Sequence, residues 1–147
     1  MTTRARADRV LMYAAVLFAI GSAVHNADHI RRGQGSVTVQ LLVAGYAAMF
    51  LTGITIILVL ERHRLAPQIA IAGGFGLAVA FAASHWLPTW SVLSDSFVDG
   101  DVTSFSRAAS LMEIAGGIAL GFVGLYAIGR APQGTTTAEP APEVALR

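Results

Sequence analysis

Residues 37–60 read VTVQLLVAGYAAMFLTGITIILVL, a stretch of 24 residues without a single charged side chain. A helix of this length, at a rise of about 1.5 Å per residue, is about 36 Å long and exceeds the ~30 Å hydrocarbon core of a bilayer. Backbone polar groups find no water in that core, so a spanning segment must satisfy its own hydrogen bonds as a helix. The stretch therefore predicts a transmembrane helix.

The composition of the whole chain agrees with a membrane protein. Of its 147 residues, 54% are hydrophobic and only 13% are charged, whereas soluble domains carry about 25% charged residues. The formal net charge of +1 indicates no nucleic-acid partner. The absence of cysteine excludes disulfides, thiolate metal sites and cysteine nucleophiles. The expected partner is the lipid bilayer, and a homo-oligomer or a membrane-complex partner is left open.

Three further stretches are long and apolar enough to span a bilayer. The four predicted spans cover about residues 10–30, 37–60, 69–87 and 108–128. Pro67 stands where a helix is expected to begin, and the short connections after the first two spans favour antiparallel neighbours. The predicted fold class is an all-α integral membrane protein, an up-down bundle of four transmembrane helices within a membrane domain at 10–130.

The distribution of arginine predicts the orientation of the bundle. With a cytoplasmic N-terminus, seven arginines lie inside and three outside. This favours an N-in, C-in topology with a basic segment at 1–9, and it places a long outer loop, 88–107, between the third and fourth helices. The Pro-, Thr- and Ala-rich segment 131–147 is predicted to be a disordered cytoplasmic tail. All ten basic residues are arginine, a bias typical of GC-rich bacterial genomes, so a bacterial plasma membrane is the expected location.

The N-terminus has a second interpretation. RARADR, an apolar core and GSA at 21–23 resemble a signal peptide that is cut after Ala23. Its removal would leave three spans and would take away the small residues next to the histidines. We therefore favour the uncut chain.

The densest polar cluster is HNADHIRR at 25–32, at the end of the first span. Because a helix advances about 100° per residue, His25, Asp28, His29 and Arg32 share one stripe. Toward the N-terminus the same stripe meets Gly21, and small residues mark the places where transmembrane helices approach closely. The cluster is therefore predicted to point into the bundle.

Each of the other three spans carries one strong polar side chain on a face with small residues. These are Gln40, His85 and Glu113. In the predicted topology they lie at the same depth as His25, in the outer leaflet. The sequence therefore predicts one shared polar site that opens outward.

Histidines at positions i and i+4 form a chelating pair on one helical face. The candidate metal ligands are His25, Asp28, His29, His85 and Glu113. Gln40, Asn26 and Arg32 are expected to support them. Imidazole and carboxylate ligands suit a transition metal, with zinc or iron favoured. Glu113 is alternatively a general base, and Asp28 alternatively pairs with Arg31 or Arg32.

Two other functions fit the same residues. His29 and His85 would be the axial ligands in a haem b electron carrier that works with a quinone. A metal-free accessory subunit or a proton-linked transporter would use the cluster as a structural staple or a proton relay. The sequence does not decide whether the protein is an enzyme, and it gives no geometric argument for a contribution from Asp95 and its neighbours in the long loop.

Overall fold

The computed structural model describes residues 3–130, and the regular secondary structure in that range is all helical, with no strand. Its helices are α1 (Thr3–Arg32), α2 (Val39–Leu60), α3 (Ala66–Trp86) and α4 (Ser104–Ile128), with a short 3₁₀ helix, Gln34–Ser36, between the first two. Each α-helix is long and apolar enough to cross a membrane. The prediction of an all-helical chain with four candidate spans is confirmed. The predicted tail, 131–147, and residues 1–2 of the basic N-terminal segment lie outside the described residues.

Local chemistry determines where the helices begin and end. The hydroxyl oxygens of Thr38 and Thr103 accept the backbone N–H three residues on, at 3.1 and 3.2 Å, and cap α2 and α4. Pro67 lies in the first turn of α3, as predicted. Leu87 is extended because the following Pro88 disfavours a helical residue before it, and α3 therefore ends at Trp86.

The helices α1 and α3 both pack most extensively against α4, and glycine makes this approach possible. A Cβ at Gly21 would lie 2.9 Å from the carbonyl oxygen of Met112, and one at Gly74 would lie 2.5 Å from that of Gly117. No side chain fits at such distances. The backbone of α1 therefore lies directly against α4 at the level of Glu113.

The helix α2 packs less extensively against the bundle. Its buried residues are Thr52, Thr55 and Val59, all in its second half. None of residues 39–51 is buried. The first half of α2 therefore leaves space between itself and its neighbours.

The segment between α3 and α4 folds back onto the last turn of α3. The backbone N–H of Asp95 donates to the carbonyl of Ser84 at 2.9 Å, and that of Phe97 donates to the carbonyl of His85 at 2.8 Å. The Phe97 side chain is only 2% exposed. These contacts fix the middle of the segment beside the His85 ring.

Candidate metal centre

Three imidazoles from α1 and α3 meet inside the bundle. His25, His29 and His85 each offer one ring nitrogen, and these atoms all lie within 4.8 Å of one another. His25 and His85 are each 3% exposed, and His29 is half-buried. The two spans thus bring together the three histidines that their helical phase predicted.

The pair on α1 has the spacing of two ligands of one metal ion. One turn of helix separates His25 from His29, and their Nε2 atoms lie 3.2 Å apart. Two nitrogens at about 2.0–2.1 Å from a tetrahedral zinc ion are about 3.3 Å apart. The two rings meet edge to face, with centroids 4.7 Å apart, and the same contact has the geometry of a hydrogen bond between the two Nε2 atoms.

The third imidazole is oriented by the loop backbone. His85 Nδ1 lies 3.1 Å from the carbonyl oxygen of Asp95. A carbonyl can only accept, so Nδ1 is the donor and Nε2 carries the lone pair that a metal requires. The Phe97 ring packs on the imidazole, with centroids 4.6 Å apart. Position and tautomer of His85 are therefore both determined by the segment after α3.

Arg32 holds this segment in place. Its two terminal nitrogens bind the two carboxylate oxygens of Asp95 at 2.5 and 2.7 Å, a bidentate pair that fixes direction as well as distance. The guanidinium also lies over the Phe97 ring, 5.3 Å from its centroid. Arg32 thus acts on His85 through Asp95. The sequence indicated this pairing only in so far as Asp95 is an acidic loop residue on the same predicted side of the membrane as Arg32.

Glu113 brings a carboxylate from α4 to the histidines. It is 0% exposed, and its Oε2 lies 3.8 Å from His25 Nε2. Neither carboxylate oxygen has a hydrogen-bond partner among the described residues, nor does His25 Nδ1. Ser22 is a polar neighbour of the carboxyl, without hydrogen-bond geometry. A buried polar group without a partner is costly, and a charged one is more so, which makes Glu113 a candidate metal ligand.

Asp28 has a different partner. Its Oδ1 accepts from Nε and Nη2 of Arg31 at 3.0 and 2.7 Å, and Arg31 also donates to Thr103 and Ser106 at the start of α4. Asp28 is not part of the group formed by the three histidines. Of the two roles considered for it, the ion pair with Arg31 is present, and Arg31 connects it to the start of α4. The second carboxylate oxygen, Oδ2, is buried and has no hydrogen-bond partner among the described residues.

The two remaining candidates lie at different distances from the centre. Asn26 donates to the carbonyl of Ser22 at 2.8 Å and lines a cavity that also contacts the histidines. Gln40 is exposed and is not in that lining. The Gln40 side chain therefore does not reach the centre, because the first half of α2 lies away from the other helices.

The cavity has a volume of about 350 Å³ and lies between α1, α2 and α3. The three histidines, Asn26 and Ser84 supply most of its polar lining. The side formed by α2 comes from residues 41–49 and is apolar apart from Tyr46. The periodicity of a single helix cannot predict this cavity, because the cavity depends on the distances between helices.

No protein-family model matches this chain, and no curated protein or solved structure matches it either. A fold alone does not define a function, so function has to be argued from the geometry of the site.

Proposed function

We propose that this chain is a membrane metalloprotein that binds one divalent transition metal ion in its helix bundle. His25, His29 and His85 are the ligands, and Glu113 is the fourth ligand or the general base for a metal-bound water. Asp95 and Arg32 hold His85 in position. Asp28, predicted as a further ligand, is assigned a structural role through its pair with Arg31.

One observation carries this proposal. Two buried imidazoles and one half-buried imidazole place ring nitrogens within 4.8 Å of one another, and a fully buried carboxylate with no hydrogen-bond partner among the described residues lies 3.8 Å from one of them. A structural staple would use these groups in hydrogen bonds across the helices, as native proteins do for buried polar atoms. The Glu113 oxygens instead have no partner among the described residues, which favours an additional positive ligand.

The ligand chemistry favours zinc, or iron as the second choice. Three imidazoles and one carboxylate without sulfur disfavour copper(I). A site with at most four protein ligands suits zinc. The Nε2 atoms of His25 and His29 also have the spacing of two ligands of a tetrahedral zinc ion. A zinc ion in such a site polarises bound oxygens and makes water a nucleophile at neutral pH.

The arrangement gives no support to the haem alternative. A porphyrin between His29 and His85 would need a flat open space between the two rings. The His25 ring lies close to both, with centroids 4.7 Å from His29 and 4.9 Å from His85. It therefore occupies space that the macrocycle would require.

The arginine distribution supports an N-in, C-in chain in a bacterial plasma membrane, and the proposal adopts that topology. The metal centre then lies in the outer leaflet, close to the loop 88–107. This placement gives the centre access to metal ions and substrates outside the cytoplasm.

Elemental analysis of detergent-purified protein tests the proposal. Full-length protein, His25→Ala, His85→Ala and Glu113→Gln are each dialysed against zinc or iron(II) and then against metal-free buffer. We expect stoichiometric metal in the unaltered protein, none in the two histidine variants, and weaker retention in Glu113→Gln. His63→Ala is the matched control, because His63 is exposed in the connection between α2 and α3.

Two results would overturn the metal centre. One is the absence of retained metal in folded, unaltered protein. The other is equal metal in His63→Ala and His25→Ala, which would place the binding elsewhere.

A further inference from the structure

The cavity beside the histidines has two chemically different walls. Helices α1 and α3 present imidazoles, with the Asn26 amide and the Ser84 hydroxyl. Opposite them, α2 presents side chains that are apolar apart from Tyr46, such as Leu41 and Met49. A molecule that fills this space must be polar where it meets the histidines and apolar where it lies along α2.

The cavity opens on the surface that the apolar helices turn outward. Ile30 and Met49 both line it, and they are 81% and 45% exposed. Helices of this length and hydropathy place such residues against acyl chains. A ligand therefore has access from the hydrocarbon of the membrane and does not need to cross the aqueous loops.

We infer that the cavity binds a single-chain lipid-soluble molecule, with its oxygen-bearing head group at the histidines and its chain along α2. Contact of the head group with a metal rests on the proposed function, whereas binding of the chain rests on the cavity alone. A volume of about 350 Å³ lies at the small end of ligand pockets, which span about 300–1,000 Å³. It favours one chain over a two-chain phospholipid.

The charges around the polar wall define the head group. Among the described residues, no arginine lines the cavity, and the guanidinium of Arg32 on α1 is bound by both carboxylate oxygens of Asp95. Imidazole, amide and hydroxyl groups remain, and they are suited to the oxygen of an alcohol or a carboxylic acid. A metal ion at the histidines has the same preference, because zinc and iron both accept oxygen ligands.

Two glycines on α2 allow a matched test. Gly45 lines the cavity and Gly53 does not, and a Cβ added at either one meets nothing within 4 Å. Gly45→Phe therefore places a ring in the mouth of the cavity without forcing the backbone. Gly53→Phe makes the same change in composition and helix propensity away from it.

The probe is dodecanoic acid with a diazirine at the end of its chain, added to full-length protein in lipid nanodiscs. After illumination, labelled peptides are mapped by mass spectrometry. We expect label on residues 41–49, and a decrease of about tenfold or more in Gly45→Phe, because the new ring occupies the volume that the chain needs. Labelling of Gly53→Phe should match the unaltered protein.

A second measurement uses the unaltered protein and is independent of how the variants fold. Excess unlabelled dodecanoic acid should suppress the label on residues 41–49, and butyric acid should not. Equal labelling of the two glycine variants, or label that dodecanoic acid does not suppress, would overturn the inference.

Cobalt(II) separates this inference from the proposed function. Protein loaded with cobalt(II) should show visible absorption bands that change when dodecanoic acid is added. If cobalt does not bind but the label still maps to α2, the metal centre is wrong and the lipid cavity stands. If cobalt binds and the label fails the tests above, the metal centre stands and the lipid ligand is wrong.

Discussion

The two sides of the site differ in how closely the helices approach. On the α4 side, glycine backbones lie directly against neighbouring helices, as at Gly21 and Gly74. On the α2 side, residues 39–51 are all at least partly exposed, and a cavity occupies the space. Close packing thus surrounds Glu113 and the α1 histidines on one side, and a cavity adjoins the histidines on the other.

The largest effect is expected from adding a side chain where α3 and α4 are in closest contact. Gly74→Ala places a Cβ 2.5 Å from the carbonyl oxygen of Gly117, and the forced separation of α3 and α4 should lower the free energy of unfolding by roughly 1–3 kcal/mol. Gly76→Ala, on the same helix, meets nothing within 4 Å. It should be neutral or stabilising by up to about 1 kcal/mol. Unfolding by sodium dodecyl sulfate in mixed micelles measures the free energy of unfolding of both variants. Equal values would contradict the difference in packing between Gly74 and Gly76.

The next effect concerns the loop that orients His85. Asp95→Asn removes the charge that Arg32 binds and loosens the carbonyl contact to Nδ1. Metal affinity, measured by competition with a chelator, should fall by about tenfold, as for other residues that position metal ligands. Asp101→Asn is the control, because Asp101 is exposed in the same loop. An unchanged affinity in Asp95→Asn would show that the loop does not position the ligand.

A smaller effect is expected where α3 meets α4 through a polar contact. The indole N–H of Trp86 donates to Ser110 Oγ at 3.1 Å, and hydrogen bonds between transmembrane helices contribute about 0.6 kcal/mol on average. A double-mutant cycle with Trp86→Phe and Ser110→Ala should give a coupling of that size in the free energy of unfolding. Strict additivity of the two variants would mean that close packing alone joins these helices.

The smallest effect concerns pH and lies outside the helices. The backbone N–H of Thr89 donates to the Asp99 carboxylate and lowers the pKa of this exposed group below its ordinary 3.8. Because the folded state has the lower pKa, the stabilisation is complete from about pH 5 upward, well above the unfolded value of 3.8, and is lost as the pH falls through the folded-state value. Asp99→Asn should therefore weaken the pH dependence of unfolding between about pH 5 and pH 3. Identical curves for the two proteins would contradict this role.

Much of the candidate site followed from the sequence because helices are periodic. Once each apolar stretch is taken as a spanning helix, the phase of His25 and His29 and the depth of His85 and Glu113 follow from rise and rotation per residue. The three histidines do lie together, and Glu113 Oε2 lies 3.8 Å from His25 Nε2, whereas the roles of these residues as ligands remain predictions. The orientation of the bundle and the identity of the metal remain predictions.

What the sequence did not reveal depends on distances between elements. Asp95 belongs to a segment without regular structure, and its position depends on two backbone hydrogen bonds to the end of α3. Gln40 shares the predicted depth, but the first half of α2 stands away from the bundle and leaves it exposed. Asp28 has the helical phase of a ligand, and the nearby Arg31 determines its role instead.

The acceptor for the His85 ring is a main-chain oxygen, which every amino acid possesses. Mutational drift at position 95 can therefore remove the carboxylate without removing the group that assigns the imidazole proton. An insertion or deletion between His85 and residue 95 would displace that oxygen itself. It should therefore disturb the His85 ring more than loss of the carboxylate alone, which leaves the oxygen present but less firmly held.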